Sequence, residues 1–154
     1  MDETSYQALT AYNRETKRLD DVYRGAVKKS GLPACAFWIL YTLRMESGSF
    51  TQSQICEFLY EPKQTVNSAL KKLEADGYLS LSPGADQRSK PVQLTDKGLQ
   101  LASVSADRVA DAEAQALLSM TQEERERFIQ LTVRYRTLLE DALQKADTPS
   151  ESKI

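Results

Sequence analysis

Between residues 4 and 29 the chain has no proline, and Tyr12, Leu19, Val22, Tyr23, Ala26 and Val27 recur mostly three or four positions apart. That period predicts a long amphipathic helix, closed by Gly31. Pro33 suits the first turn of a second helix, Pro33 to Glu46, which Phe37, Trp38, Leu40, Tyr41 and Met45 make apolar nearly all round. Such a helix belongs at the centre of a core. After the break Ser47-Gly48-Ser49, Thr51 and Gln54 have the spacing of a capping box that opens a short helix through Ile55, Phe58 and Leu59.

Pro62 can open the next helix, which runs to Asp76 and is ended by Gly77. In it Val66, Ala69, Leu70 and Leu73 form one apolar stripe, while Lys63, Gln64, Thr65, Asn67, Ser68, Lys71 and Lys72 lie mostly off it. The period then changes to two: Tyr78 to Ser82 reads as a strand and Val92 to Leu94 as its return, around a proline-bounded tip from Pro83 to Pro91. Thr95 is a suitable N-cap for a fifth helix from Asp96 to Leu118, and Thr121 with Glu124 opens a sixth, to about Ala146. Phe128, Leu131, Tyr135, Leu138 and Ala142 step by three and four along that last helix. The tail, Thr148 to Ile154, is polar and reads as disordered.

A short helix, a turn, a second helix with a polar face and then a hairpin with a charged tip describe a winged helix-turn-helix. The expected fold class is mainly α with a small β-wing, the DNA-binding unit being flanked by terminal helices. A plain helical domain with a solvated loop fits the pattern less closely.

Composition narrows the function. The 154 residues include 20 Lys plus Arg against 22 Asp plus Glu, no histidine and two cysteines, Cys35 and Cys56. Without histidine there is no Ser-His-Asp or Cys-His machinery, and two thiols fit a reducing cytoplasm better than a disulfide scaffold. The carboxylate pairs Asp20-Asp21 and Glu123-Glu124 lie on helix surfaces with no nucleophile or metal ligands arranged about them, so neither an enzyme nor a cofactor is expected. The longest strongly apolar run, Ala34 to Tyr41, is far shorter than the roughly 20 residues that cross a bilayer, and the acidic start Met1-Asp2-Glu3 leads into no apolar signal-peptide core, so secretion is not expected. A net charge of -2 argues against indiscriminate coating of nucleic acid. Divided along the chain, Lys63 to Lys97 holds six cations against four anions, and Leu99 to Ile154 seven against ten. The polar helix and the tip are the less acidic part.

Thr51-Gln52-Ser53-Gln54-Ile55, Lys63-Gln64-Thr65-Val66-Asn67, Leu73-Glu74, Gly77-Tyr78-Leu79, Asp86-Gln87-Arg88 and Leu94-Thr95-Asp96-Lys97-Gly98 follow one another over residues 50 to 98. In that order they resemble the DNA-binding core of MarR-type transcriptional regulators, and the flanking helices match that family's layout over nearly the full chain. The resemblance implies a homodimer joined through terminal helices, binding pseudo-palindromic double-stranded DNA and often released by a small ligand or an oxidant. The implied division is a dimerisation helix at 1–31, a winged helix-turn-helix at 32–98, dimerisation helices at 99–147 and a tail at 148–154.

Chemistry assigns the roles. Gln64 and Asn67 carry amides that can pair with adenine edges, Thr65 and Ser68 can meet bases or phosphate, and Lys63 and Lys71 can neutralise phosphates. Where many relatives carry Arg, this chain has Ser68, so amide contacts and operator shape take more of the readout. Arg88 is the candidate for minor-groove insertion, Asp86 for holding it in place and Lys90 for touching the backbone. Gln52 and Ser53 can give phosphate hydrogen bonds at a helix start, or act in the cap alone. Apolar stripes on the first and last helices would leave large exposed areas on a monomer, which fits a dimer.

Tyr12, Tyr23, Phe37, Trp38 and Tyr41 either line a pocket for an aromatic or phenolic effector, where the resemblance would put one, or are plain core. Cys35, near a helix start, is a redox candidate, although its apolar neighbours favour an inert thiol, and Cys56 is similar. The expected function is a cytoplasmic, sequence-specific transcriptional regulator, more readily a repressor. A winged-helix protein-interaction module without DNA binding is the alternative.

Overall fold

The computed structural model describes residues 2–46, 50–81 and 91–147. Its elements are α1 (Glu3–Ser30), α2 (Ala34–Met45), β1 (Phe50–Thr51), α3 (Gln52–Leu59), α4 (Lys63–Ala75), β2 (Leu79–Leu81), β3 (Pro91–Leu94), α5 (Asp96–Ser103), α6 (Ala106–Leu118) and α7 (Gln122–Asp147). The chain groups into two compact units, Met1–Asp111 and Ala112–Ile154.

Local chemistry sets most helix ends in the first unit. The Asp2 carboxylate accepts the Ser5 N–H at 2.8 Å, and Gly31, at φ 73°, closes α1 in the left-handed region that glycine enters without a Cβ penalty. Thr51 and Gln54 form the reciprocal capping box of α3. Pro33 and Pro62 stand one residue outside their helices instead of in the first turns, because each keeps an extended ψ, 140° and 130°, as N-cap.

The core lies around α2, whose Phe37, Ile39 and Leu40 are fully buried. Ile39 joins Ile55 of α3, Val66, Leu70 and Leu73 of α4, Leu79 of β2 and Val92 of β3 in one cluster. The sheet is antiparallel in the order β1-β3-β2, with Phe50 opposite Val92 and Leu79 opposite Leu94. β1 has only two residues and no alternation to announce it; pairing with β3 makes it a strand.

The continuous helix expected from Asp96 to Leu118 is instead two, interrupted at Val104 and Ser105. Ser105 is buried; its hydroxyl donates to the Leu101 carbonyl at 2.6 Å and its N–H to the Ala102 carbonyl at 3.1 Å. A serine bonding back to its own helix in this way competes with the regular ladder. Just beyond the break, Arg44 of α2 and Asp107 of α6 form a two-pronged ion pair with both contacts at 2.8 Å. It ties α2 to the start of α6.

The second unit contains the rest of α6 and α7. The Thr121 N–H donates to Glu124 at 2.8 Å and the Glu124 N–H to the Thr121 hydroxyl at 3.2 Å, while Arg125 donates to the Leu117 carbonyl at 3.2 Å. Phe128, Leu131, Tyr135 and Leu138 are all exposed on α7. Tyr6, Leu9, Tyr12, Leu19 and Val22 are exposed on α1. No helix among the described residues is long and apolar enough to cross a membrane.

Candidate nucleic-acid interface

Helix α4 is fixed by one face and presents the other. Val66, Leu70 and Leu73 are buried, and at 3.6 residues per turn the opposite stripe is Gln64, Asn67, Ser68 and Lys71, all exposed. Thr65 and Lys63 flank it, also exposed. Neither Lys63 nor Lys71 has a carboxylate within ion-pair distance among the described residues, whereas Lys72 reaches Asp76 at 3.3 Å. Ser68 turns its hydroxyl proton inward to the Gln64 carbonyl at 2.8 Å, which leaves its oxygen outward as an acceptor. On its α3 side, Asn67 meets Cys56, with Oδ1 4.0 Å from Sγ.

Gln52 and Ser53 occupy the first turn of α3, and the Ser53 hydroxyl lies 3.4 Å from the Glu57 carboxylate. The connection to α4 passes through Tyr60, whose φ of 51° is in the left-handed region and whose side chain is 96% exposed.

The Leu-Thr-x-x-Gly segment clasps the base of the hairpin to the end of α4. Thr95 donates its hydroxyl proton to the Gly77 carbonyl at 2.7 Å and its N–H to the Tyr78 carbonyl at 3.1 Å, and its hydroxyl oxygen caps Gly98 N–H. Lys97 donates to the Asp76 carbonyl at 2.7 Å and sits 4.5 Å over the Tyr78 ring. This lysine is held by the fold. Asp86, Arg88 and Lys90 lie outside the described residues.

Between α1 and α2 there is a cavity of about 640 Å³ lined by Tyr23, Val27, Ala34 and Trp38 together with Asp20, Arg24 and Lys28. Of the aromatic set singled out in the sequence, Tyr23 and Trp38 line it, 5.8 Å apart between ring centres. Phe37 is fully buried against Trp38, Tyr41 packs on both, and Tyr12 is exposed on α1. The three charged lining residues escape a reading confined to apolar positions, yet Asp20, Arg24 and Lys28 recur every fourth residue beside Tyr23 and Val27. Arg24 also pairs with Asp21 at 2.7 Å.

Burial pushes the Cys35 thiol up from its ordinary range, with Glu61 and Cys56 adding to the shift. Cys56 is raised too, chiefly by burial, against the opposing pull of Lys63. Both therefore stay protonated at neutral pH, the unreactive form. No three Cys, Asp or Glu residues gather into a metal-holding group among the described residues.

A helix-turn-helix clasped to a two-stranded hairpin, with a polar stripe on its second helix, defines the winged helix-turn-helix class. The chain belongs to the MarR family within it: the family's sequence pattern matches residues 30–89. YwoH of Bacillus subtilis, an uncharacterized HTH-type transcriptional regulator, is 30% identical over 101 residues, 66% of this chain and 73% of YwoH. PecS of Dickeya dadantii, also an HTH-type transcriptional regulator, is 33% identical over 112 residues, 71% of this chain but 65% of PecS, just under two thirds of its length. In fold, the MarR family regulator NMB1585 of Neisseria meningitidis superposes with a TM-score of 0.78 at 22% identity, over 91% of this chain and 99% of that one. Sco3205 of Streptomyces coelicolor, a MarR family regulator solved in complex with DNA, gives 0.66 at 18% identity over 100% and 94%.

Proposed function

We propose that this protein is a sequence-specific transcriptional regulator that binds a pseudo-palindromic operator as a homodimer and acts as a repressor. The observation that carries the reading is the exposed stripe Gln64, Asn67, Ser68 and Lys71 on a helix whose other face is locked in the core. A side-chain amide can read base edges once a rigid scaffold holds its helix in a groove, and an unpaired lysine beside it can neutralise phosphate. Sco3205, which shares the fold, was solved in complex with DNA, and this supports DNA as the partner. In this reading Gln52 and Ser53 meet backbone phosphate, Arg88 enters the minor groove steadied by Asp86, and Lys90 touches backbone. The exposed apolar faces of α1 and α7 supply the dimer contact, because apolar areas of that size seldom stay open to water.

The α1/α2 cavity is the candidate effector site. Tyr23 and Trp38 offer ring faces and Arg24 and Lys28 offer cations, so an aromatic molecule bearing an anionic group fits its chemistry. Selection of duplexes from a random library, followed by salt-titrated binding with and without salicylate-like aromatic acids, tests the reading. A palindromic consensus bound saturably by a dimer is expected. Absence of any retained duplex, with activity unaffected by Gln64→Ala and Arg88→Ala, would favour the protein-interaction module instead.

A further inference from the structure

A side chain held in the left-handed region carries strain that glycine does not, and such a residue persists where it serves something beyond the local backbone. Tyr60 is the only non-glycine residue with positive φ among the described residues, and it takes φ 51° and ψ 24° as the cap that closes α3. Nothing inside the chain compensates for it. The residue is 96% exposed, and among the described residues its side chain makes no hydrogen bond and no ring contact.

The turn it occupies is short. Tyr60, Glu61 and Pro62 alone connect α3 to α4, and Gln64, the first residue of the exposed stripe, stands four positions after Tyr60. In a helix-turn-helix the N-terminal residues of the second helix reach base edges, so the turn that feeds that helix arrives beside the sugar-phosphate wall of the groove. Pro62 caps α4 without a side-chain hydrogen bond, and Lys63, exposed and with no carboxylate at ion-pair distance among the described residues, adds a cation at the same end. Glu61, the acidic residue of the turn, lies towards α2, where it adds to the effect of burial in raising the Cys35 thiol.

A phenol is a neutral donor at the tip of a rigid ring with two χ angles, so ordering it on a partner costs little conformational entropy. Tyrosine is among the side chains that hold backbone phosphate. We infer that Tyr60 is a DNA-backbone contact, its hydroxyl donating to a phosphate oxygen at the edge of the groove that α4 enters. The inference rests on the DNA-binding reading above and adds an anchoring residue outside both the stripe and the wing. It also accounts for the strained cap: glycine, the residue that suits this backbone best, would lack the donor.

The full chain and the variants Y60F and Y60G are compared on one duplex selected with the parent, by fluorescence anisotropy across a salt series and by urea unfolding. Y60F keeps the ring and the strain but lacks the donor; it should unfold at the parent's midpoint and bind about 10-fold or more weakly, the lower end for a hydrogen bond to a charged group. Y60G should bind at least as weakly while unfolding at a higher urea concentration. Affinity and stability then move in opposite directions, which a merely structural role would not produce. Because the phenol is uncharged, the slope of log affinity against log salt should stay at the parent's value in both variants, and selection with Y60F should return the parent's consensus. Y60F binding as tightly as the parent overturns the inference, as does a loss confined to Y60G, a shallower salt slope, a changed consensus, or a Y60G chain less stable than the parent. If the parent retains no duplex at all, the DNA-binding reading itself fails, an outcome distinct from these.

Discussion

Gly98 packs so closely on Tyr78 that a Cβ at position 98 would overlap the Tyr78 carbonyl oxygen and crowd Leu94. That carbonyl is the acceptor for the Thr95 N–H, so the contact lies inside the clasp that joins the hairpin base to α5. An alanine in place of a helical glycine ordinarily stabilises by about 0.5–1 kcal/mol. Gly98→Ala is expected to do the opposite and cost about 2 kcal/mol or more, since backbone must move to admit the methyl. Gly25, with nothing within 4 Å of where its Cβ would be, is the control and should show the ordinary gain. Urea unfolding of both variants checks the signs.

Tyr60 closes α3 from the left-handed region, where a side chain is strained, and its ring is almost wholly in water. Replacement by glycine, the usual residue at such a cap, should raise stability by roughly 0.5 kcal/mol or more, because the strain relieved exceeds the extra freedom of the unfolded chain. A thermal midpoint lower than the parent's would show that the ring contributes something the exposed position does not reveal.

Lys71 and Lys72 are neighbours with different engagements. The first stands on the exposed stripe without a carboxylate partner among the described residues, and the second reaches Asp76. Lys71→Ala should reduce the slope of log affinity against log salt by about 1 per chain, while Lys72→Ala changes it by much less. Fluorescence anisotropy on one selected duplex across a salt series separates the two.

Glu124 is held below the ordinary glutamate range, first by the Thr121 N–H and then by the Thr121 hydroxyl. A depressed carboxyl contributes its stabilisation above its unfolded pKa and loses it as pH falls through the folded one. The start of α7 should therefore loosen in the acid range below the usual glutamate titration. Glu124→Gln keeps the capping geometry without a titrating proton, so its helicity should vary less over the same interval. Circular dichroism between pH 6 and 2 makes the comparison.

Much of this was legible where the determinants are local. Thr51 with Gln54, Thr121 with Glu124, and Gly31 behave as their chemistry dictates, because a cap is a contact between residues three or four apart. The two faces of α4 were equally plain, since one period of 3.6 sorts Val66 from Asn67. What escaped depends on distant partners. β1 exists only through pairing with β3, about forty residues on, and the break at Ser105 has no Gly or Pro to mark it, only a serine that returns to Leu101 once buried. The charged wall of the α1/α2 cavity was hidden for a related reason: on a helix surface Asp20, Arg24 and Lys28 look like ordinary solvation until α2 covers one side.

Thr51 has two duties, pairing with Pro91 across the sheet and capping α3 with its side chain. Hairpin and helix-turn-helix thus share one residue as a common rivet. Stripping β1 from β3 would uncap α3 in the same event, so amide protons at Ile55 and Val92 should exchange with solvent as a single cooperative group. A protein built this way delivers its reading helix and its wing to a target as one stiff tool, and loses both together when that joint opens.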